Sequence, residues 1–139
     1  MNSKLNTKMK NLFNKANNDS GFSLVELLVV VLIIGILSAI AIPVFLNQQD
    51  QARTAALKSD LANAKLAMVT YGTDHGGDYS AVTLADLTAA GFNASDNVTL
   101  ALPTGKETTS AFCIEATHSV SNKVMHISQT STPADGVCP

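Results

Sequence analysis

One acid stands inside the most apolar stretch of the chain: Glu26, in SGFSLVELLVVVLIIGILSAIAIPVFLNQQ, residues 20–49. A carboxylate at the centre of a spanning helix costs roughly 2.5–3.5 kcal/mol on insertion scales, so the position needs either compensation or a function. Other reactive types are sparse. Cys113 and Cys138 are the two cysteines, and both follow the apolar stretch. One bridge is the natural reading if that region meets an oxidising compartment, and two free thiols are the alternative. His75, His118 and His126 are scattered, with no H-x-x-E-H, H-E-x-x-H or C-x-x-C spacing to hold a metal. HGGDY, residues 75–79, reads as a turn because it lacks the phosphate-loop pattern and a preceding strand. Asn93 and Asn97 each open a glycosylation sequon, a short pattern that arises easily in an Asn- and Thr-rich chain. With no nucleophile beside a base and no paired carboxylates, the chain reads as a non-enzyme with no cofactor and no metal.

The elements that must carry these residues follow from periodicity. Residues 1–21 are polar and basic, four lysines against Asp19, and too poor in apolar residues to pack, so they read as a leader or a flexible cytoplasmic tail. From Leu27 to Leu46 the chain is apolar except for Gly35, Ser38 and Pro43, which is long enough to cross a hydrocarbon core of roughly 30 Å. The basic flank sets the amino end inside and the carboxyl end out. Beyond Asn47, Leu57, Leu61, Ala64, Met68 and Tyr71 recur at helical spacing, while Asp50, Arg53, Lys58, Asp60 and Lys65 mostly take the other faces. Pro43 is expected to kink this helix without ending it, and the whole, from about Phe22 to Tyr71, would be on the order of 75 Å long. Gly72 is the expected stop.

Residues 76–139 must bury that amphipathic face. TLADLTAAGF suggests a short helix over about 83–90, closed by Gly91. Alternation of β-branched residues then predicts three antiparallel strands, Val98–Leu102, Ser110–Thr117 and Lys123–Gln129. The four-residue loop SVSN sets a register of Ala116 opposite Met125, Ile114 opposite Ile127 and Glu115 opposite His126. Phe112, Ile114, Ala116, Met125 and Ile127 then share the face that packs on Leu57, Leu61 and Met68, and the other face is polar. A Cys113–Cys138 bridge would pin the tail, including TPADG, onto the strand of Cys113 and contribute roughly 3–4 kcal/mol by loop closure. The domain plan is thus a leader over 1–21, an apolar helix over 22–46, an amphipathic helix over 47–75 and a small head over 76–139. The fold class is α+β, with a long amino-terminal helix, membrane-spanning in its first half, packed against a small antiparallel sheet.

Composition bounds the function. Past residue 21 the chain holds five basic and ten acidic residues, and it contains no Trp and 5% aromatics, which argues against a nucleic-acid surface on the head. Two processing schemes compete for the amino terminus. An ordinary secretory signal cut after Ala39-Ile40-Ala41 would release a soluble domain starting at Ile42, and would leave Glu26 unexplained.

The other scheme rests on Gly21-Phe22-Ser23-Leu24-Val25-Glu26 and the apolar run containing Gly35 and Pro43. Together, over about 25 residues from Gly21 to Phe45, these closely resemble the prepilin signature of type IV pilins and their pseudopilin relatives. The resemblance implies cleavage between Gly21 and Phe22 by a prepilin peptidase and methylation of the new Phe22 amine. It implies storage in membrane lipid, then incorporation by an assembly platform and its ATPase into a helical filament of identical subunits, outside the cell. Glu26 would pair with a neighbour's Phe22 amine and set axial register, Gly35 through Pro43 would be the loosened part of the helix, and Cys113–Cys138 resembles the disulfide-closed carboxyl-terminal region of many pilins. The family serves adhesion, motility or DNA uptake, with nucleic acid a partner only in the last. A competence or type II secretion pseudopilin is the alternative within the family; major secretion pseudopilins usually lack the disulfide and often hold calcium, for which the body shows no clustered Asp ligands beyond Asp74 and Asp78.

Overall fold

The structure, a computed structural model, describes residues 21–139. The expected leader therefore lies, but for Gly21, outside the described residues. The chain divides after Val44 into two units. Helix α1, Leu24–Asp74, contributes to both. Then come α2, Leu84–Ala89, and strands β1, Val98–Ala101; β2, Cys113–His118; β3, Lys123–Ser128; and β4, Ala134–Asp135.

Among the described residues of the first unit, the helix has no packing partner of its own. Every large apolar side chain from Leu24 to Val44 is exposed, and the most apolar window of α1 is wholly unburied. Among the described residues α1 is the one helix long and apolar enough to cross a membrane. It continues through Pro43, whose missing N–H leaves the Ala39 carbonyl without its usual donor.

The second unit, Phe45–Pro139, has a core of its own. Leu57, Leu61, Ala64 and Met68 are fully or almost fully buried on one face of α1, as the spacing predicts, with Tyr71 half-buried at the edge. They pack against Phe112, Ile114, Ala116, Met125 and Ile127, the face expected of the sheet. The β2–β3 register pairs Ala116 with Met125, Ile114 with Ile127 and Glu115 with His126, as the four-residue loop and the period-two pattern require. Leu87 of α2 closes one side of the core. Thr83 caps α2 in a reciprocal box with Asp86, and Gly91, at φ +96°, follows its end.

Four features depart from the expected fold. The sheet has four strands in the order β1-β2-β3-β4, not three. The fourth, only two residues long, pairs Asp135 with Met125 and Ala134 with His126. A strand that short shows no alternation in sequence. Strand β2 begins at Cys113 because residues 108–111 form a turn, with the Thr108 N–H donating to the Ala111 carbonyl (2.8 Å). Helix α1 runs past Gly72 to Asp74, and its end is closed by Gly76 at φ +66° with the Gly77 N–H donating to the Gly72 carbonyl (2.7 Å). Gly72 instead admits a ring: a Cβ there would sit 2.6 Å from Tyr79 Cε1. Tyr79 in turn meets Phe112 edge to face, 4.9 Å between centroids.

The fourth departure is Asp60. It is 2% exposed, on the core side of α1 and not on its wet side. Its two carboxylate oxygens accept from the Ser95 N–H (2.8 Å) and hydroxyl (2.9 Å), tying the helix to the loop before β1. Three residues from Leu57 and one from Leu61, it falls on the apolar stripe by geometry, and the loop supplies the donors a buried acid needs.

Candidate functional site

Glu26 lies in the first turn of α1. Ser23 stands just ahead of the helix as its N-cap, with the Leu27 N–H donating to the Ser23 carbonyl (3.2 Å). The Glu26 N–H donates to Ser23 Oγ (3.1 Å), and the Ser23 N–H donates to Glu26 Oε2 (3.0 Å). This is a capping box: two backbone donors that the first turn leaves without intrahelical partners are satisfied reciprocally. The carboxylate also lies at the positive end of the helix dipole. The signal was present in the sequence as Ser23-x-x-Glu26 before an apolar run, and Ser23 is the residue that reading Glu26 as a lone buried acid overlooks.

Gly21 and Phe22 precede the helix, and Phe22 is 88% exposed. The Gly21–Phe22 peptide bond is thus outside the hydrogen-bonded helix. Gly35 and Pro43 both lie within α1. Among the described residues nothing lies within 4 Å of a Cβ built on Gly35, so none of them demands a glycine there.

The cysteines are joined. Cys113 and Cys138 form a disulfide with their Cα atoms 6.1 Å apart. Around it the tail covers the polar face of the sheet: the Cys138 N–H donates to Glu115 Oε1 (2.7 Å), and His126 Nδ1 lies 3.1 Å from the Gly136 carbonyl oxygen. That face is polar as expected, but it is occupied by the chain's own carboxyl-terminal residues.

The histidines remain apart. His75 stacks on Tyr71 (3.9 Å between centroids) beyond the end of α1, with Nδ1 at 2.9 Å from the Tyr71 carbonyl oxygen. His118 is buried and accepts the Val120 N–H at Nδ1 (3.3 Å). Among the described residues no group of three or more His, Cys, Asp or Glu is placed to hold a metal ion. The acids of the head are engaged locally. Hydrogen bonds from the Ser80 backbone and side chain hold Asp78 below the usual carboxylate range, and those from the Thr83 side chain and backbone do the same for Asp86. Burial pushes Glu107 up, and its Oε1 has no hydrogen-bond partner among the described residues. A groove of about 510 Å³ beside Asp50, Lys58 and Lys123 is open and polar, with no convergent set of reactive groups.

Glu26 in its capping box, at the head of an exposed apolar helix, is therefore the feature that stands out among the described residues, and it lies in the part of the chain that resembles known proteins. Residues 16–42 match the prokaryotic N-terminal methylation motif. The chain carries a prepilin-type methylation motif. It is 39% identical over 56 residues to the type II secretion system core protein G of Pseudomonas aeruginosa, a match covering 40% of this chain and 39% of that protein. With the type IV major alpha-pilin of Moraxella bovis it shares 40% over 52 residues, 37% of this chain and 33% of the pilin. With a type IV major pilin protein of Myxococcus xanthus it shares 49% over 49 residues, 35% of this chain and 21% of the pilin. The motif and these matches show homology to a type II secretion pseudopilin and to type IV pilins over the amino-terminal part of the chain, and the long apolar helix packed in its second half on a small antiparallel sheet is a fold of the type IV pilin kind. The matches span from about a fifth to two fifths of the relatives' lengths, and the greater part of this chain lies outside each of them.

Proposed function

We propose that the protein is a structural subunit of a type IV pilus and not an enzyme. In this reading a prepilin peptidase cuts between Gly21 and Phe22, the new Phe22 amine is methylated, and the subunit waits in the membrane with its amino end on the cytoplasmic side. An assembly platform and its ATPase then draw it into a surface filament through the apolar part of α1. The observation that carries the reading is Glu26: an acid retained at the start of a helix whose other side chains through Leu46 are mostly apolar and exposed. In a filament those side chains would meet copies of themselves, and an unpaired carboxylate among them would be penalised. A neighbour's Phe22 amine relieves that penalty only at one stagger, so the pair sets register. Gly35 and Pro43 supply the stretch in which the helix can loosen during packing. A disulfide-closed head suits long exposure outside the cell.

The test is the intact mass and amino-terminal sequence of protein sheared from the cell surface. A chain beginning at methylated Phe22 in filamentous material supports the proposal; a chain beginning at Ile42 sinks it. The similarity to a type II secretion core protein favours a second reading, in which the same processed subunit builds the pseudopilus of a secretion or competence system. Deleting the gene separates the two, since loss of surface pili and loss of secreted protein are different phenotypes.

A further inference from the structure

We propose that the polar groove between α1 and β3 holds the headgroup of a zwitterionic membrane phospholipid, one carrying a phosphate and a primary ammonium, while the subunit is stored in the bilayer. The inference rests on the membrane-held subunit proposed above and adds a ligand to it. The groove, about 510 Å³, lies wholly within the second unit. Asn47, Asp50, Gln51, Thr54 and Lys58 of α1 line it on one side, and Lys123 at the start of β3 stands on the other. Its polar groups are amides, a hydroxyl, one carboxylate and two ammoniums, a set that binds a charged polar ligand and offers no nucleophile beside a base.

Position points to a lipid. Phe45 and Leu46, the last residues of the apolar run and the first of this unit, are both exposed, and Asn47 directly after them already lines the groove. The polar layer of a bilayer is roughly 5–8 Å deep on each side of its core. With the apolar run in that core, Asn47, Asp50 and Gln51 stand within the polar layer, since Gln51 is about 6 Å above Asn47 at the helical rise. Lys58 starts about 16 Å above Asn47. Side chains on a helix lean toward its amino end, here toward the membrane, which directs the Lys58 stem back over the turn of Thr54 while the ammonium stays wet.

Charge selects the headgroup. The described residues hold two ion pairs, Arg53–Asp50 at 2.8 Å and Lys123–Asp135 at 3.2 Å, and Lys58 belongs to neither. Asp135 is itself exposed, and an exposed pair is worth little, so Lys123 is free to exchange it for a phosphate. Lys58 and Lys123 thus bring two cations from two elements to one phosphate. Asp50 gives Oδ1 to Arg53, which leaves Oδ2 to accept from the ammonium of the same headgroup.

The experiment takes the chain extracted from membranes in mild detergent and titrates it with short-chain phosphatidylethanolamine, retained lipid being counted by native mass spectrometry. One lipid is expected per wild-type chain. Lys58→Ala and Lys123→Ala should each weaken binding about fivefold and the double variant about thirtyfold, the effect of two cations at a phosphate surface expressed as a ratio. An unchanged Tm separates loss of lipid from loss of structure, and Lys58, exposed and in neither ion pair, keeps Lys58→Ala decisive by itself. Phosphatidylcholine, whose quaternary ammonium donates no hydrogen bond, should bind more weakly than phosphatidylethanolamine to the wild type and equally well to Asp50→Asn. Undiminished binding by the double variant, displacement of the lipid by an equimolar amount of inorganic phosphate, or an unaltered preference for phosphatidylethanolamine in Asp50→Asn would each overturn the proposal. A wild-type surface protein that starts at Ile42 overturns the membrane-held subunit beneath it, a result read from intact mass without any variant.

Discussion

The chain uses the same capping box twice, and the two copies differ in what surrounds them. At α1 Ser23 and Glu26 exchange hydrogen bonds of 3.1 and 3.0 Å; at α2 Thr83 and Asp86 exchange bonds of 3.4 and 2.8 Å. Asp86 stands near water, and Leu87 beside it fills the core of the head. The box at α2 is a stability device for a helix of six residues. Glu26 has the same kind of local partner but opens a helix of 51 residues whose most apolar window is unburied among the described residues. Identical local chemistry is thus structural where tertiary packing completes it, and directs attention to a second molecule where packing is absent.

The strongest way to break this contrast is Glu26→Ala. We expect a cleaved, folded subunit and no filament, whereas Asp86→Ala should leave assembly intact; sheared filament yield with intact mass of the membrane-held protein checks both. Normal yield from Glu26→Ala would remove the difference between the two boxes. Next in size is the head's own closure. Replacing Cys113 and Cys138 together by serine should cost roughly 3–4 kcal/mol of stability, seen as a lowered Tm of the detergent-solubilised chain, because the 25-residue separation is no longer closed in the unfolded state. Methylation of Phe22 should be unaffected.

Asp60→Ala comes third. It strands the Ser95 N–H and hydroxyl beside the core, and about 2 kcal/mol of destabilisation is expected from unpaired buried donors. Denaturant unfolding measures it, and a loss well under 1 kcal/mol would show that water replaces the carboxylate. The smallest effect belongs to Thr83→Ala, a slight loss of head stability with a distinct pH signature. Asp86 is held below its ordinary value of 3.8, so the stability it contributes is present above that value and is lost as pH falls through the lower folded value. Removing Thr83 should lower Tm slightly at neutral pH and flatten that part of the acid limb, so that the two Tm-versus-pH curves converge as pH falls below the folded value.

Much of the head was legible because its signals are local. Ile114, Ala116, Met125 and Ile127 alternate with polar residues on either side of a four-residue loop, and a shift by one would turn all four to the wrong face. The S-x-x-E pattern at Ser23 was equally local, and only attention to Glu26 alone hid it. Strand β4, Gly72 and Asp60 carried no such signal. Two residues cannot show a period, a glycine's sequence context does not say whether it ends a helix or admits a ring, and an aspartate on an apolar stripe is acceptable only if a loop 35 residues away brings it donors.

Sequence by itself determined the apolar run with its single acid, the amphipathic continuation of α1, the β2–β3 register and the two cysteines available for one bridge, since each depends on spacing within a short segment. Tertiary structure alone decided that Tyr79 lies against Gly72, that Ser95 reaches Asp60, and that the tail crosses the polar face to Glu115 and adds a strand to β3. Those contacts join residues far apart in the chain, and they form only once the burial of the α1 face against the sheet has offset the entropy of bringing them together.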